Sequence, residues 1–363
     1  MKDTKNIINT IIHGDCIEVL KNIASESIDS IFADPPYFMQ TEGELLRTNG
    51  TKFNGVEDSW DKFNSYNDYD QFTFEWLKEC KRILKKDGSI WVIGSFQNIY
   101  RLGFIMQNLG FWILNDVIWS KPNAVPNFGG TRFQNSHETL LWCTKDKKSK
   151  YCFNYKTMKF LNNNKQEKSV WDIGICIGSE RLKDNEGKKV HSTQKPKKLL
   201  YNIILSSTKP NDIILDPFFG TGTTGAVAKE LGRNFIGIEK ELNYIKHAKK
   251  RIKNVKPNIN EITELCLETK PPKVSMETLI KNQYLKCNQK MYNSKGEFIC
   301  TLLENGQVTD NEDILSIHKM SGKHLNKSNH NGWDYFYIKK DKSLISINDL
   351  RYQYHEKGKE NGR

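Results

Sequence analysis

Two short apolar runs, Ser30-Ile31-Phe32-Ala33 and Asp212-Ile213-Ile214-Leu215, each lead directly into an Asp-Pro pair, at Asp34-Pro35 and Asp216-Pro217. Both runs read as buried strands. Further strand patterns, at Ser89 to Gly94, Trp112 to Trp119, His137 to Cys143 and Phe235 to Glu239, alternate with helical spacing at Phe72 to Leu84, at Ile99 to Leu109 and from Ala226 onward. This alternation predicts an α/β fold built on a Rossmann-like, doubly wound, mostly parallel sheet. Such sheets hold ligands at the carboxyl ends of their strands, which is where both Asp-Pro pairs fall.

Asp34-Pro35-Pro36-Tyr37 makes a wall of hydrogen-bond acceptors. Two successive prolines remove two backbone N–H groups and fix two φ angles, so the Asp34 carboxylate and the Pro35 carbonyl face whatever enters. Tyr37 adds an aromatic face for a flat ring. The matching guest is an exocyclic amine on a nucleobase. A Pro-Pro pair after a strand is more often only a rigid loop, so the functional reading needs a second motif.

Asp216-Pro217-Phe218-Phe219-Gly220-Thr221-Gly222-Thr223-Thr224-Gly225 supplies one. Its glycines satisfy G-x-G-x-x-G, which admits a nicotinamide dinucleotide, and Glu239 at the end of the next strand suits a ribose diol. No hydride-transfer site accompanies it. An amine-accepting pocket instead asks for an electrophilic donor, and S-adenosylmethionine carries a methyl group on an activated sulfonium. An adenine N6 or a cytosine N4 amine would serve equally as acceptor.

The formal net charge is +12, and residues 144 to 209 hold 16 Lys/Arg against 6 Asp/Glu. A polyanion is the natural partner, although a solvated lysine-rich surface would look similar. The segment from 144 to 195 has little periodicity and is expected to be a basic, DNA-facing insertion rather than core. A second long polar segment, Phe38 to Asp70, is expected to be a binding loop carrying Arg47, and Lys121 to Gln134 a Pro- and Gly-rich connection leading to Arg132. The eight cysteines lie outside any C-x-x-C pair, and the spacing of His318, His324 and His330 fits neither helix nor strand facing. Reduced thiols and no metal are expected. No run of 18 apolar residues and no secretory core at the N-terminus point to a cytosolic protein without membrane contact.

The order of the motifs, amine pocket first and cofactor turn last, is that of a circularly permuted sheet. The chain resembles the beta-group amino methyltransferases of DNA, and more narrowly the cell-cycle-regulated adenine methyltransferase CcrM and the HinfI-type modification enzymes. The matching stretches include Ile12 to Glu18, Phe32 to Tyr37, Leu45 to Arg47, Trp91 to Ser95, Leu109 to Asp116, Gly130 to Phe133 with His137 to Leu140, Thr193 to Pro196, Asp216 to Ala226, Ser316 to Lys319 and Asn331 to Trp333.

The resemblance implies a circularly permuted methyltransferase domain over 1–256, a linker over 257–273 and a small α+β DNA-recognition domain over 274–363. It implies methyl transfer from S-adenosylmethionine to adenine N6 in GANTC, by a nucleoid-associated bacterial homodimer acting on double-stranded DNA with local strand opening. Asp34, Pro35 and Tyr37 would be catalytic, holding an adenine flipped from the duplex. Asp15, Cys16, Lys195, Asp216, Phe218, Gly220, Gly222, Thr223 and Glu239 would hold the cofactor, with Asp15 and Cys16 at its adenine and Lys195 near its carboxylate. Arg47, Arg132, Ser316, Lys319 and Trp333 would contact DNA, Trp333 as a wedge, for which a core tryptophan is the competing role. N4-cytosine methylation and a non-catalytic DNA-binding module are the alternatives.

Overall fold

The computed structural model describes residues 4–39, 61–127, 129–257, 273–328, 330–340 and 343–360. The chain divides into two compact units, Met1–Glu268 and Thr269–Arg363. Arg47 and residues 258–272 of the expected linker lie outside the described residues.

Eight strands of the first unit form one sheet: β1 (Thr10–His13), β2 (Ile28–Ala33), β3 (Leu84–Gly94), β4 (Trp112–Ser120), β5 (His137–Thr144), β6 (Val170–Asp172), β7 (Ile213–Asp216) and β8 (Asn234–Glu239). Their spatial order is β1-β8-β7-β2-β3-β5-β4-β6. All neighbours pair in parallel except at β5, which runs against both β3 and β4. This is the doubly wound, mostly parallel sheet that the alternation of patterns predicts.

The helices are α1 (Cys16–Lys21), α2 (Tyr66–Ile83), α3 (Ile99–Asn108), α4 (Tyr155–Leu161), α5 (Lys197–Ser207), α6 (Thr223–Glu230) and α7 (Leu242–Lys253). They cover both faces, and the strands' two-residue side-chain period sorts apolar residues between them. Ile31, Ala33, Ile90 and Val92 join α1, α2 and α3 through Leu20, Trp76, Leu77 and Leu102. Phe32, Trp91 and Ile93 join α5, α6 and α7 through Leu200, Ile204, Val227 and Ala248.

From β2 the chain winds through α2 to β3, whereas from β7 it winds through α6 to β8 on the opposite side. β2 and β7 are neighbours, with Ile31 opposite Leu215, so the winding reverses between them and a crevice opens at their carboxyl ends. β1 lies at the sheet edge and pairs with β8, which places His13 opposite Glu239.

Several local expectations are corrected. α2 begins at Tyr66, ahead of the expected Phe72, because the Ser65 hydroxyl caps it by accepting the Asp68 N–H at 3.1 Å. β3 begins at Leu84, ahead of the expected Ser89, so Lys85-Lys86-Asp87-Gly88 already belongs to it. The 144–195 stretch is not wholly outside the core: it supplies α4 and the edge strand β6, and Met158, Trp171 and Ile173 are buried in the main cluster. Its apolar anchors are too widely spaced among lysines and asparagines to show as a period.

The second unit is α+β. Its six strands, β9 (Lys290–Tyr292), β10 (Phe298–Leu302), β11 (Val308–Thr309), β12 (Ile314–Leu315), β13 (Tyr337–Lys340) and β14 (Ser343–Ser346), form an antiparallel sheet in the order β12-β11-β10-β9-β13-β14. Trp333 lies in the helical turn Gly332–Tyr335, where the Asn331 side chain accepts its N–H. Its indole is buried in the unit's core beneath the Arg351 guanidinium, 4.2 Å from the ring centre. Of its two competing roles the core role is therefore the observed one, and the wedge is withdrawn. No helix among the described residues is long and apolar enough to cross a membrane.

Candidate active site

One cavity of about 300 Å³ opens at the carboxyl ends of β1, β8, β7 and β2. Both sequence motifs line it: Asp34, Pro35 and Tyr37 on one side, and Phe218, Gly220 and Glu239 on the other. Asp15, Cys16 and Lys195 line it too. Asp216 and Thr223 instead border a smaller neighbouring space, about 30 Å³.

The turn after β2 is stripped of donors more thoroughly than its prolines alone require. The carboxylate of Asp61, itself buried, accepts the N–H groups of Tyr37, Phe38 and Met39 at 2.6, 2.8 and 2.9 Å. Tyr69 donates its hydroxyl to the Pro36 carbonyl at 3.0 Å and receives an N–H of Asn98 at 2.9 Å. None of the described residues donates a hydrogen bond to the Pro35 carbonyl.

One strong donor nevertheless reaches the cup. The Lys195 ammonium donates to both oxygens of Asp34 at 2.7 Å and lies 5.1 Å from the centre of the Tyr37 ring. The resemblance puts it near the carboxylate end of the cofactor; in the structure it also stands on the acid that would receive the amine. The expectation of a cup almost free of donors is corrected accordingly. The Tyr37 hydroxyl lies between Glu138 Oε2, at 2.9 Å, and Asp34 Oδ1, at 3.1 Å. Lys121, at the end of β4, donates to the other oxygen of Glu138, at the start of β5. Two acids, two ammonium groups and a phenol thus form one buried network.

Burial pushes the Asp34 carboxyl upward against the pull of Lys195. Burial also works against the charge of Glu138, but Lys195 and Lys121 outweigh it and hold that carboxyl below its usual range. The Lys195 ammonium loses solvation, yet Asp34 and Glu138 keep its pKa raised. Burial, followed by the two negative charges, drives the Tyr37 phenol far up, so it keeps its proton.

At the other end, Glu239 accepts the Gly220 N–H at 2.6 Å on one oxygen and the Glu241 N–H at 2.8 Å on the other. Each oxygen keeps a second lone pair for a ligand hydroxyl. Asp15 caps α1 by accepting the Ile17 and Glu18 N–H groups through Oδ1. Burial pushes the Cys16 thiol up to about 12, so it acts as an apolar wall. Asp216 braces the turn, accepting the Thr224 hydroxyl at 2.6 Å and the Phe218 N–H at 2.9 Å, and its burial lifts its carboxyl to about 7.

The glycines divide their duties. Gly220 is left-handed at φ +51, and a Cβ there would stand 3.3 Å from the His191 imidazole across the cavity wall. Gly222, at φ +76, faces the Ala248 methyl, so the packing of α7 leaves no room for a side chain there. Thr223 likewise spends its hydroxyl on Arg251, at 2.6 Å.

Of the residues expected on DNA, Arg132 is exposed on the 121–136 connection, its guanidinium 5.6 Å from the Phe96 ring centre and beside the fully exposed Phe133. That connection leaves β4 and enters β5 at the same sheet edge as the cavity. Ser316 and Lys319 are exposed in the second unit, where the Ser316 hydroxyl caps the helix Ile317–His324. Asp61, Glu138, Lys121, Tyr69 and Asn98 were not singled out by sequence. Glu138 alone carried a signal, an acid inside a strand that turns apolar.

Residues 28–250 match the family model described as DNA methylase, of N6 and N4 methyltransferases. The chain is similar to the type II methyltransferase M.HinfI of Haemophilus influenzae, 65% identical over 355 residues that cover 98% of this chain and 99% of that protein. It is also 46% identical, over 243 residues covering 67% of this chain and 88% of the relative, to the type II methyltransferase M2.LlaDCHI of Lactococcus lactis subsp. cremoris. Among solved structures, the PvuII DNA methyltransferase (cytosine-N4-specific) shares the fold with a TM-score of 0.53, at 22% identity, covering 71% of this chain and 90% of that one.

Proposed function

The chain belongs to the DNA methylase family of N6 and N4 methyltransferases, and from that premise we propose that it methylates N6 of adenine, flipped out of duplex DNA, with S-adenosylmethionine as donor. The observation that carries this reading is the joining of the acceptor cup at Asp34 and the Glu239 carboxylate in one cavity. The residues fit the donor: Glu239 has lone pairs for a ribose diol, and the missing side chain at Gly220 leaves room beside His191. When bound, it supplies a methyl group on a good leaving group.

The adenine amine is a poor nucleophile because its lone pair is delocalised into the ring. Asp34 and the Pro35 carbonyl each accept one N–H, which draws the nitrogen toward tetrahedral geometry and aims its lone pair across the cavity. Lys195 must surrender at least one Asp34 oxygen and the adjoining face of Tyr37 when the base arrives. Until then its ammonium favours the carboxylate form of that acid against the effect of burial. Unstacking the base costs a few kcal/mol. Phosphate contacts from the 144–209 region offset it.

The HinfI-type motifs and the 65% identity to M.HinfI support adenine and the site GANTC. Arg47, Arg132, Ser316 and Lys319 contact the DNA, and the protein acts in the bacterial cytoplasm as a homodimer that opens the strands locally. Incubating DNA with labelled donor, followed by nucleoside mass analysis and mapping, tests the assignment. N6-methyladenine confined to GANTC is expected. N4-methylcytosine, or unmodified DNA, refutes it.

A further inference from the structure

The Tyr37 phenol has a single proton and two carboxylates within reach, Glu138 Oε2 at 2.9 Å and Asp34 Oδ1 at 3.1 Å. It can donate to only one of two ionised acceptors in full, and the other contact is left with a lone pair facing a lone pair. The surroundings decide between them. Glu138 is anchored from behind by Lys121, and both side chains of that pair are nearly enclosed, at 12% and 11% exposure. Charged groups also face it from Lys195 and Asp34, so every ammonium near Glu138 favours its carboxylate form. Asp34 is driven the opposite way by burial. Neighbouring acids pushed apart in this manner mark one group as the proton acceptor and the other as a standing charge.

We propose that Glu138 is a positioning residue for methyl transfer: it holds the hydroxyl hydrogen of Tyr37, turns the phenol's lone pairs toward Asp34, and so keeps Asp34 open to receive the proton that the amine releases. The inference rests on the adenine methyltransferase reading. As the amine lone pair forms the N–C bond, the S–C bonding pair returns to sulfur and one N–H proton passes to an oxygen of Asp34. The new Asp34 O–H then has a ready acceptor in Tyr37 Oη. Were the phenol hydrogen aimed at Asp34, it would occupy the lone pair that the amine needs and leave the new O–H without a partner.

Glu138→Gln reverses this orientation without changing size. Lys121 retains the amide oxygen, so the amide N–H₂ faces Tyr37 Oη and turns its hydrogen toward Asp34. The expected result is a fall of about 10- to 100-fold in kcat, a part of what general acid–base positioning supplies. KM for DNA and for donor should stay within about twofold, because Glu138 does not line the cavity. Since Glu138 works through the hydroxyl, Tyr37→Phe/Glu138→Gln should be no slower than Tyr37→Phe alone. Unchanged kcat in Glu138→Gln, a loss carried by KM, or losses that multiply in the double variant would each overturn the proposal. Should Glu138→Gln fail to fold, Lys121→Gln tests the same orientation from behind: a kcat loss at constant KM supports it, and unchanged kcat overturns it. Wild-type protein that leaves DNA unmethylated in this assay would remove the methyltransferase reading itself, an outcome distinct from a wild type that outpaces or equals its variants.

Discussion

Replacing Lys195 by methionine probes the charge balance of the cup most directly. The ammonium is 7% exposed and donates to both oxygens of Asp34, whose side chain is 17% exposed. Asp34, Glu138, Lys195 and Lys121 together carry no net charge; methionine leaves one negative charge in excess, with Asp34 facing only the Tyr37 hydroxyl. Removing one partner of a buried pair costs about 3–5 kcal/mol. The folded variant has one escape, protonation of Asp34, which relative to an unfolded pKa near 3.9 costs about 4 kcal/mol at pH 7 and about 1.5 kcal/mol at pH 5. The cheaper course sets the loss, so Lys195→Met should be destabilised by about 4 kcal/mol at pH 7 and by about 1.5 kcal/mol at pH 5.

The sign follows from proton binding. The variant's folded Asp34 holds a proton that the unfolded chain has released, so its stability is fullest below the unfolded pKa and falls as pH rises toward the raised folded pKa. Urea unfolding followed by tryptophan fluorescence reads this out, because seven of the eight tryptophans lie between Trp60 and Trp171, in the first unit. An equal loss at both pH values, or one under about 1 kcal/mol at pH 7, would show that the pair is not a buried charge pair in solution.

Asp34→Ala should abolish methylation while leaving DNA affinity largely intact; turnover comparable to wild type in a labelled-donor assay would defeat the assignment of the cup. Asp61→Ala leaves three N–H groups without their acceptor, two of them buried at about 1–3 kcal/mol each, so a stability loss of about 2 kcal/mol or more is expected in urea. A loss below about 1 kcal/mol would mean that another group caps the turn. DNA affinity should fall steeply and log-linearly with salt, and a flat response from low to moderate ionic strength would count against the 144–209 region as the electrostatic footprint.

The strand ends were legible because both motifs stand beside short apolar runs whose only sensible place is a covered sheet. Glu239 and Gly220 follow from the same logic, since a parallel sheet must bring neighbouring carboxyl ends together. The partners of the cup were not legible. Asp61 acts from 24 residues beyond Tyr37, and Glu138 from 101 residues beyond it, and no local pattern encodes either meeting. The contact of Lys195 with Asp34 was not legible either, because only the fold reveals that β2 delivers Asp34 to it. The apolar run of β5 marks it as a strand, but its direction is set by its neighbours rather than by its own residues. The choice between the two roles of Trp333 stays open in the sequence because an Asn-Gly-Trp run shows where a turn lies, not which way its indole faces.

The placement of β1 imposes a schedule on synthesis. Its partner β8 emerges from the ribosome about 226 residues later, which at 5–20 residues per second is a wait of roughly 10–45 s. β2, by contrast, can pair with β3 as soon as Leu84–Gly94 has been made. The strand that leads into Asp34 therefore has its β3 neighbour while the strand that ends in Glu239 is still being translated.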